Sequence, residues 1–101
     1  MRGRMLKDTL NYRTSMQTIS DLLTATSDSG QDGIRTTKLL TKVNISYSRL
    51  SKFMGNLTGS GLVSKIESDG KNTFAITEKG RTYLETYTKF ANIAESYGLE
   101  I

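Results

Sequence analysis

Apolar residues recur along this chain first at helical spacing and then in alternation. Met16, Ile19, Leu22 and Leu23 follow a helical repeat. They stand behind Thr14-Ser15-Met16-Gln17, where the Thr14 hydroxyl faces the Gln17 amide and the Gln17 side chain reaches back. A first helix running to about Thr26 is predicted. The polar stretch Ser27-Asp28-Ser29-Gly30-Gln31-Asp32-Gly33 breaks it, and Ile34 reads as a short strand pairing with a later hairpin. Leu39, Leu40 and Val43 give a short second helix an inward face, with Thr36 or Thr37 as its cap. Asn44-Ile45 makes a turn. Ser46 then caps a third helix whose Leu50, Phe53, Met54 and Leu57 share one side, and Gly59-Ser60-Gly61 ends it.

Beyond Gly61 the rhythm changes to period two. Leu62 to Ser68 and Lys71 to Thr77 flank Asp69-Gly70, a two-residue turn in which both positions need φ > 0. Phe74 and Ile76 share one face of this hairpin, opposite Ser64 and Ile66 or their neighbours. A fourth helix is expected from about Glu78 to Tyr97, capped by Thr77. Along it Tyr83, Tyr87, Phe90, Ala94, Tyr97 and Ile101 are spaced by 4, 3, 4, 3 and 4 residues, an a/d heptad seam flanked by Leu84 and Ala91. So much apolar surface on one helix of a small domain predicts a homodimer made through Tyr83, Leu84, Tyr87, Phe90, Ala91, Ala94 and Tyr97, in preference to the alternative that the stripe packs into its own core.

Charge sharpens the picture. The net +4 of the 101 residues is not spread evenly. Residues 34–81 hold nine Lys and Arg against three acidic residues, whereas residues 14–33 carry only Asp21, Asp28 and Asp32. The positive charge coincides with the helix pair and the hairpin, which implies a polyanionic partner. The chain has no Cys and no His. That excludes disulfides, thiolate metal sites and the Ser-His and Cys-His nucleophile systems. No metal or cofactor is expected. No run reaches the ~18 apolar residues of a membrane span, and the N-terminus lacks the apolar stretch of a signal peptide. A soluble protein of the cytoplasm, associated with the nucleoid and not with membranes, is the expectation.

A helix pair followed by a basic hairpin is suited to double-stranded DNA: the helix enters the major groove and the hairpin reaches the flanking backbone. With its apolar side turned inward, the third helix (about 46–59) leaves Ser48, Arg49, Lys52 and Asn56 outside. Arg can bond a guanine edge, Asn an adenine edge, and Lys or Ser the phosphates. Ser46 and Tyr47 stand at the start of this helix, where the Tyr47 ring either meets the groove rim or packs on helix two. Lys65 and Lys71 would lie along phosphates from the hairpin (62–77), with Glu67 and Asp69 opposing them. Thr36, Thr37 and Lys38 open the second helix, where amides and hydroxyls favour phosphate. Taken singly, Arg49, Lys52 and Asn56 each fit a solvated face better than a reading head; taken with the hairpin, they point to DNA.

Gly61-Leu62-Val63, the Asp69-Gly70 turn, and Phe74-Ala75-Ile76-Thr77-Glu78-Lys79-Gly80-Arg81-Thr82-Tyr83-Leu84 resemble the winged helix-turn-helix regulators of bacteria and archaea. The plan is most similar to small archaeal winged-helix proteins that dimerise through a last, coiled-coil helix. The resemblance covers roughly residues 14–97. It implies an α+β fold, with a three-helix core, a β-hairpin wing and a long C-terminal dimerisation helix. It also implies transcriptional regulation or chromosome organisation, with Tyr47, Ser48, Arg49 and Lys52 at the groove-facing part of the recognition helix. Three segments are expected: a basic N-terminal stretch (1–13), the winged helix-turn-helix domain (14–77) and the dimerisation helix (78–101).

Other motifs carry nothing. Asn44-Ile45-Ser46 and Asn56-Leu57-Thr58 fit a glycosylation pattern without a secretory signal, and no phosphate-cradling glycine loop is present. Glu67 and Asp69 sit on an exposed hairpin that offers no pocket for acid-base chemistry, so no enzyme is expected. The competing reading is a winged-helix protein-interaction module with little DNA affinity. The sequence specifies no small-molecule effector.

Overall fold

A computed structural model describes residues 14–99. The basic stretch 1–13 and Ile101 of the heptad seam lie outside the described residues. Among these there are four α-helices: α1 (Ser15–Asp28), α2 (Thr36–Val43), α3 (Tyr47–Gly59) and α4 (Glu78–Ser96). The strands are β1 (Ile34–Arg35), β2 (Val63–Ser68) and β3 (Lys71–Ile76), and a 3₁₀ turn spans Gly30–Asp32.

Helix α1 opens on the expected capping box: the Gln17 amide donates to Thr14 Oγ1 and the Thr14 amide to Gln17 Oε1, both at 3.0 Å. Its buried stripe is Thr18, Leu22, Leu23, Ala25 and Thr26. The two threonines enter the core because each hydroxyl donates to a carbonyl one turn back, Thr18 to Thr14 O (3.1 Å) and Thr26 to Leu22 O (2.6 Å). Met16, counted with the apolar stripe in the sequence, is instead 40 % exposed. It lies two residues before Thr18, which puts it across the first turn from that buried side chain.

Helix α2 begins at Thr36 with Arg35 as its N-cap and no side-chain cap, so neither Thr36 nor Thr37 caps it as expected. Arg35 is already committed to strand β1, and the helix grows directly out of the sheet. Asn44 ends α2 in the left-handed conformation (φ 57°), its amide donating to Leu40 O at 3.1 Å. Ser46 then caps α3, accepting from the Arg49 amide at 3.3 Å. Leu39, Val43, Leu50, Met54 and Leu57 meet Leu22 and Leu23 in one core, with Phe53 and Leu40 partly buried against it. Four apolar side chains thus fix which side of α3 is left to solvent.

The sheet order is β1-β3-β2, all antiparallel; Ile34 does pair with the hairpin, and its partner there is Phe74. In the hairpin Asp69 (φ 51°) and Gly70 (φ 75°) both adopt positive φ. A two-residue loop makes Ser68 and Lys71 partners, and counting back pairs Lys65 with Phe74 and Val63 with Ile76. The residues opposite Phe74 and Ile76 are therefore the neighbours of Ser64 and Ile66.

Helix α3 ends in a Schellman motif: the Leu62 amide donates to Leu57 O (2.9 Å) and the Gly61 amide to Thr58 O (3.1 Å), with Gly61 at φ 79°. The first turn of α4 crosses this same point. Thr77 caps α4 by accepting from the Gly80 amide (3.0 Å), and its hydroxyl donates to Gly61 O (2.6 Å), with Leu62 O also 3.0 Å away. Lys79 Nζ donates to Ser60 O at 2.8 Å. Gly80 lies so close that a Cβ there would collide with the Leu62 carbonyl oxygen and come within 2.8 Å of Ile76 Cγ1. Gly80→Ala is accordingly expected to destabilise the fold by about 1–3 kcal/mol. Thermal unfolding by circular dichroism should show a fall in Tm of roughly 4–8 °C per kcal/mol. An unchanged Tm would mean that the crossing yields easily.

Candidate nucleic-acid interface

Because Leu50, Met54 and Leu57 are buried, the outermost line of α3 runs along Ser48, Lys52, Gly55 and Gly59, all exposed. Two different flanks adjoin this line. On one, Arg49, Lys52, Phe53 and Asn56 surround a shallow depression of about 300 Å³ that reaches Ser15 of α1. The Arg49 guanidinium lies over the Phe53 ring, 5.6 Å from its centroid. That cation–π contact steadies a long side chain without neutralising it. The other flank faces the hairpin across a cleft of about 560 Å³, with Tyr47, Ser51 and Gly55 on the helix side and Lys65, Asn72 and Phe74 on the hairpin side.

The pleat decides which hairpin side chains reach that cleft. The pairs Val63–Ile76, Lys65–Phe74 and Glu67–Asn72 share one face, running from the buried root toward the exposed tip. Lys71 belongs to the alternate face with Thr73 and Ala75. Lys65 and Lys71, grouped together in the sequence, therefore point to opposite sides of the wing. Glu67 shares the face of Lys65 but does not line the cleft.

Other residues singled out in the sequence divide between the cleft, the open surface and the backbone. Thr36 is half-buried and lines the cleft, while Thr37 and Lys38 are exposed on the first turn of α2. Tyr47 is 65 % exposed and lines the cleft together with Thr36 of α2. Ser46 is engaged as the cap of α3. Lys79, counted among the nine cations, is bound to the carbonyl end of α3. Sequence reasoning missed Ser51, Gly55 and Asn72. Asn72 was within reach, because the two-residue turn sets it two positions before Phe74 on the cleft face. Small residues on α3 carried no comparable signal.

On α4 the heptad seam divides. Tyr83 and Leu84 pack against the core. Tyr87 lies near Asp21 of α1, and its phenol is pushed above its ordinary 10.0 by burial, then by the Asp21 carboxylate and Tyr83. Ala91 is half-buried and Ala94 buried, whereas Phe90 (50 %), Ile93 (57 %) and Tyr97 (77 %) are exposed. Among the described residues no helix is long and apolar enough to cross a membrane, and no three His, Cys, Asp or Glu gather to hold a metal.

None of the curated proteins matches this sequence. Among solved structures, the DNA-binding protein Sso10a-2 from Sulfolobus solfataricus superposes with a TM-score of 0.71 at 21% identity, over 84% of this chain and 85% of that one. SSV1 F-93 gives 0.58 at 20% identity, over 79% and 91% of the two chains. Sco5413, a MarR family transcriptional regulator from Streptomyces coelicolor, gives 0.69 at 22% identity, over 76% of this chain but 54% of its own. These likenesses concern the fold. The winged helix-turn-helix family itself matches residues 12–95, a span that takes in every helix and strand described above except the last residue of α4, and the chain belongs to that family.

Proposed function

We propose that this protein binds double-stranded DNA as a homodimer and regulates transcription, with α3 in the major groove and the hairpin on the flanking backbone. The observation that carries this reading is the outward side of α3. It presents Ser48, Arg49, Lys52 and Asn56 to solvent beside a hairpin that turns Lys65 toward the same helix. Thr37 and Lys38 add a helix N-terminus for phosphate, and Lys71 serves the backbone from the far face of the wing. Similarity to a DNA-binding protein and to a transcriptional regulator supports the same role. No catalytic step is part of it, and the protein would reside with the nucleoid.

Dimerisation is assigned to the outer half of α4. Phe90, Ile93 and Tyr97 recur at i, i+3 and i+7 and are each at least half exposed. Tyr83, Leu84 and Tyr87 are engaged within the protomer, so the contact is narrower than the full heptad seam. Two α4 helices joined there would hold two recognition helices at a fixed separation, and the operator would have two half-sites.

Fluorescence anisotropy of a labelled mixed-sequence duplex, titrated at several salt concentrations, tests the DNA reading. The expected result is a linear fall of log affinity with log salt, at ~0.9 per phosphate neutralised. Absence of binding even at low salt would sink it. Arg49→Ala should cost about 1–3 kcal/mol on a preferred site if Arg49 reads a base. Unchanged affinity and preference would remove it from the reading head. For the dimer, size-exclusion chromatography with light scattering should find two chains in the wild type and one in Phe90→Glu/Tyr97→Glu. A wild-type monomer that still docks another protein through α4 would favour an interaction module instead.

A further inference from the structure

Glycine inside a helix loosens it relative to alanine, because its backbone has more freedom to lose. Such a residue is usually explained by a neighbour that leaves no room for a Cβ, as at Gly80. Gly55 has no such neighbour. It lies in the middle of α3, its φ is not positive, and a Cβ built on it meets nothing within 4 Å. The packing of the described residues gives no reason for glycine there.

The space that a side chain at Gly55 would enter is the mouth of the 560 Å³ cleft between α3 and the hairpin. Among the described residues no acidic side chain lines this cleft. Lys65 and Asn72 face it from the hairpin, Tyr47 and Ser51 from α3, and Thr36 from α2, over an apolar floor that includes Met54 and Phe74. Its polar rim can thus donate hydrogen bonds from an ammonium, an amide and three hydroxyls, the set suited to phosphate oxygens. Gly55 also belongs to the outermost line of α3. A strand that leaves the groove filled by α3 and turns toward the hairpin must pass over it.

We propose that this cleft seats one sugar–phosphate strand of the duplex, and that Gly55 is glycine so that the strand can approach the helix backbone. The inference rests on the DNA-binding reading above and assigns that reading a strand path and a residue that controls it. Lys65 and Asn72 grip the strand from the wing side. A side chain at Gly55 strengthens the helix while lifting the strand away from it, so stability and affinity move in opposite directions.

The test combines thermal melts with duplex titrations of wild type, Gly55→Ala and Gly55→Met, since both replacements are good helix formers. Gly55→Ala is expected to raise Tm by roughly 4 °C and to weaken duplex binding about tenfold, with a salt slope lower by ~0.9 for each phosphate no longer neutralised. Gly55→Met should weaken it further without lowering Tm. If wild type binds and both variants bind equally well, the strand path is wrong although DNA binding stands. A weakening that changes base preference while keeping the salt slope would overturn the assignment too, because Gly55 would then face bases. If wild type itself does not bind, the failure lies with the DNA reading.

Discussion

The arrangement of this protein depends on one backbone crossing, where the first turn of α4 lies on the carbonyl end of α3. A helix terminus leaves acceptors without intrahelical partners. Here the Leu62 and Gly61 amides satisfy two carbonyls of α3 itself, while Thr77 and Lys79 reach across to Gly61 O and Ser60 O. Gly80 lets the two backbones come close enough for those bonds to form. Since β2 starts immediately after Leu62 and β3 ends immediately before Thr77, the same contact closes the root of the hairpin. The exposed side of α3, the wing and the outer half of α4 are all positioned from this point.

The crossing also changes how the charge is read. Lys79 contributes to the net positive charge of residues 34–81, yet its ammonium complements the negative end of the α3 dipole. Arg49 is steadied over Phe53, and Lys65 is turned toward α3 by the pleat. A tally of basic residues therefore overstates the cations available to a partner on one face. The remainder is divided between the outer line of α3, its Phe53 flank and the cleft. That distribution suits a ligand that wraps around α3 better than one that touches a flat patch.

Most of the fold could be read in advance because its signals are local. The Thr14–Gln17 capping box, the Ser46 cap, the αL turn at Asn44 and the Asp69-Gly70 turn each depend on a few neighbouring residues. Where reading by neighbours failed, a longer-range demand had intervened. Thr36 does not cap α2 because its predecessor belongs to the sheet, and Thr18 and Thr26 enter the core through backbone bonds that hydropathy ignores. Met16 matched the periodicity of α1 but lies across the first turn from the buried Thr18.

The candidate interface was legible in kind more than in detail. By itself the sequence determined a helix pair whose second member is capped by Ser46, a two-residue hairpin and a basic segment, since propensity, periodicity and charge are properties of the chain. The two-residue turn already puts Lys65 and Lys71 on opposite faces of the hairpin; tertiary structure alone decided which of those faces turns toward α3. It also divided the α4 seam, giving Tyr83 and Leu84 to the core and leaving Phe90 and Tyr97 exposed beside Ile93, which the seam did not include. A heptad pattern records which residues share a helix face. It cannot record how far along the helix the rest of the domain extends to cover them.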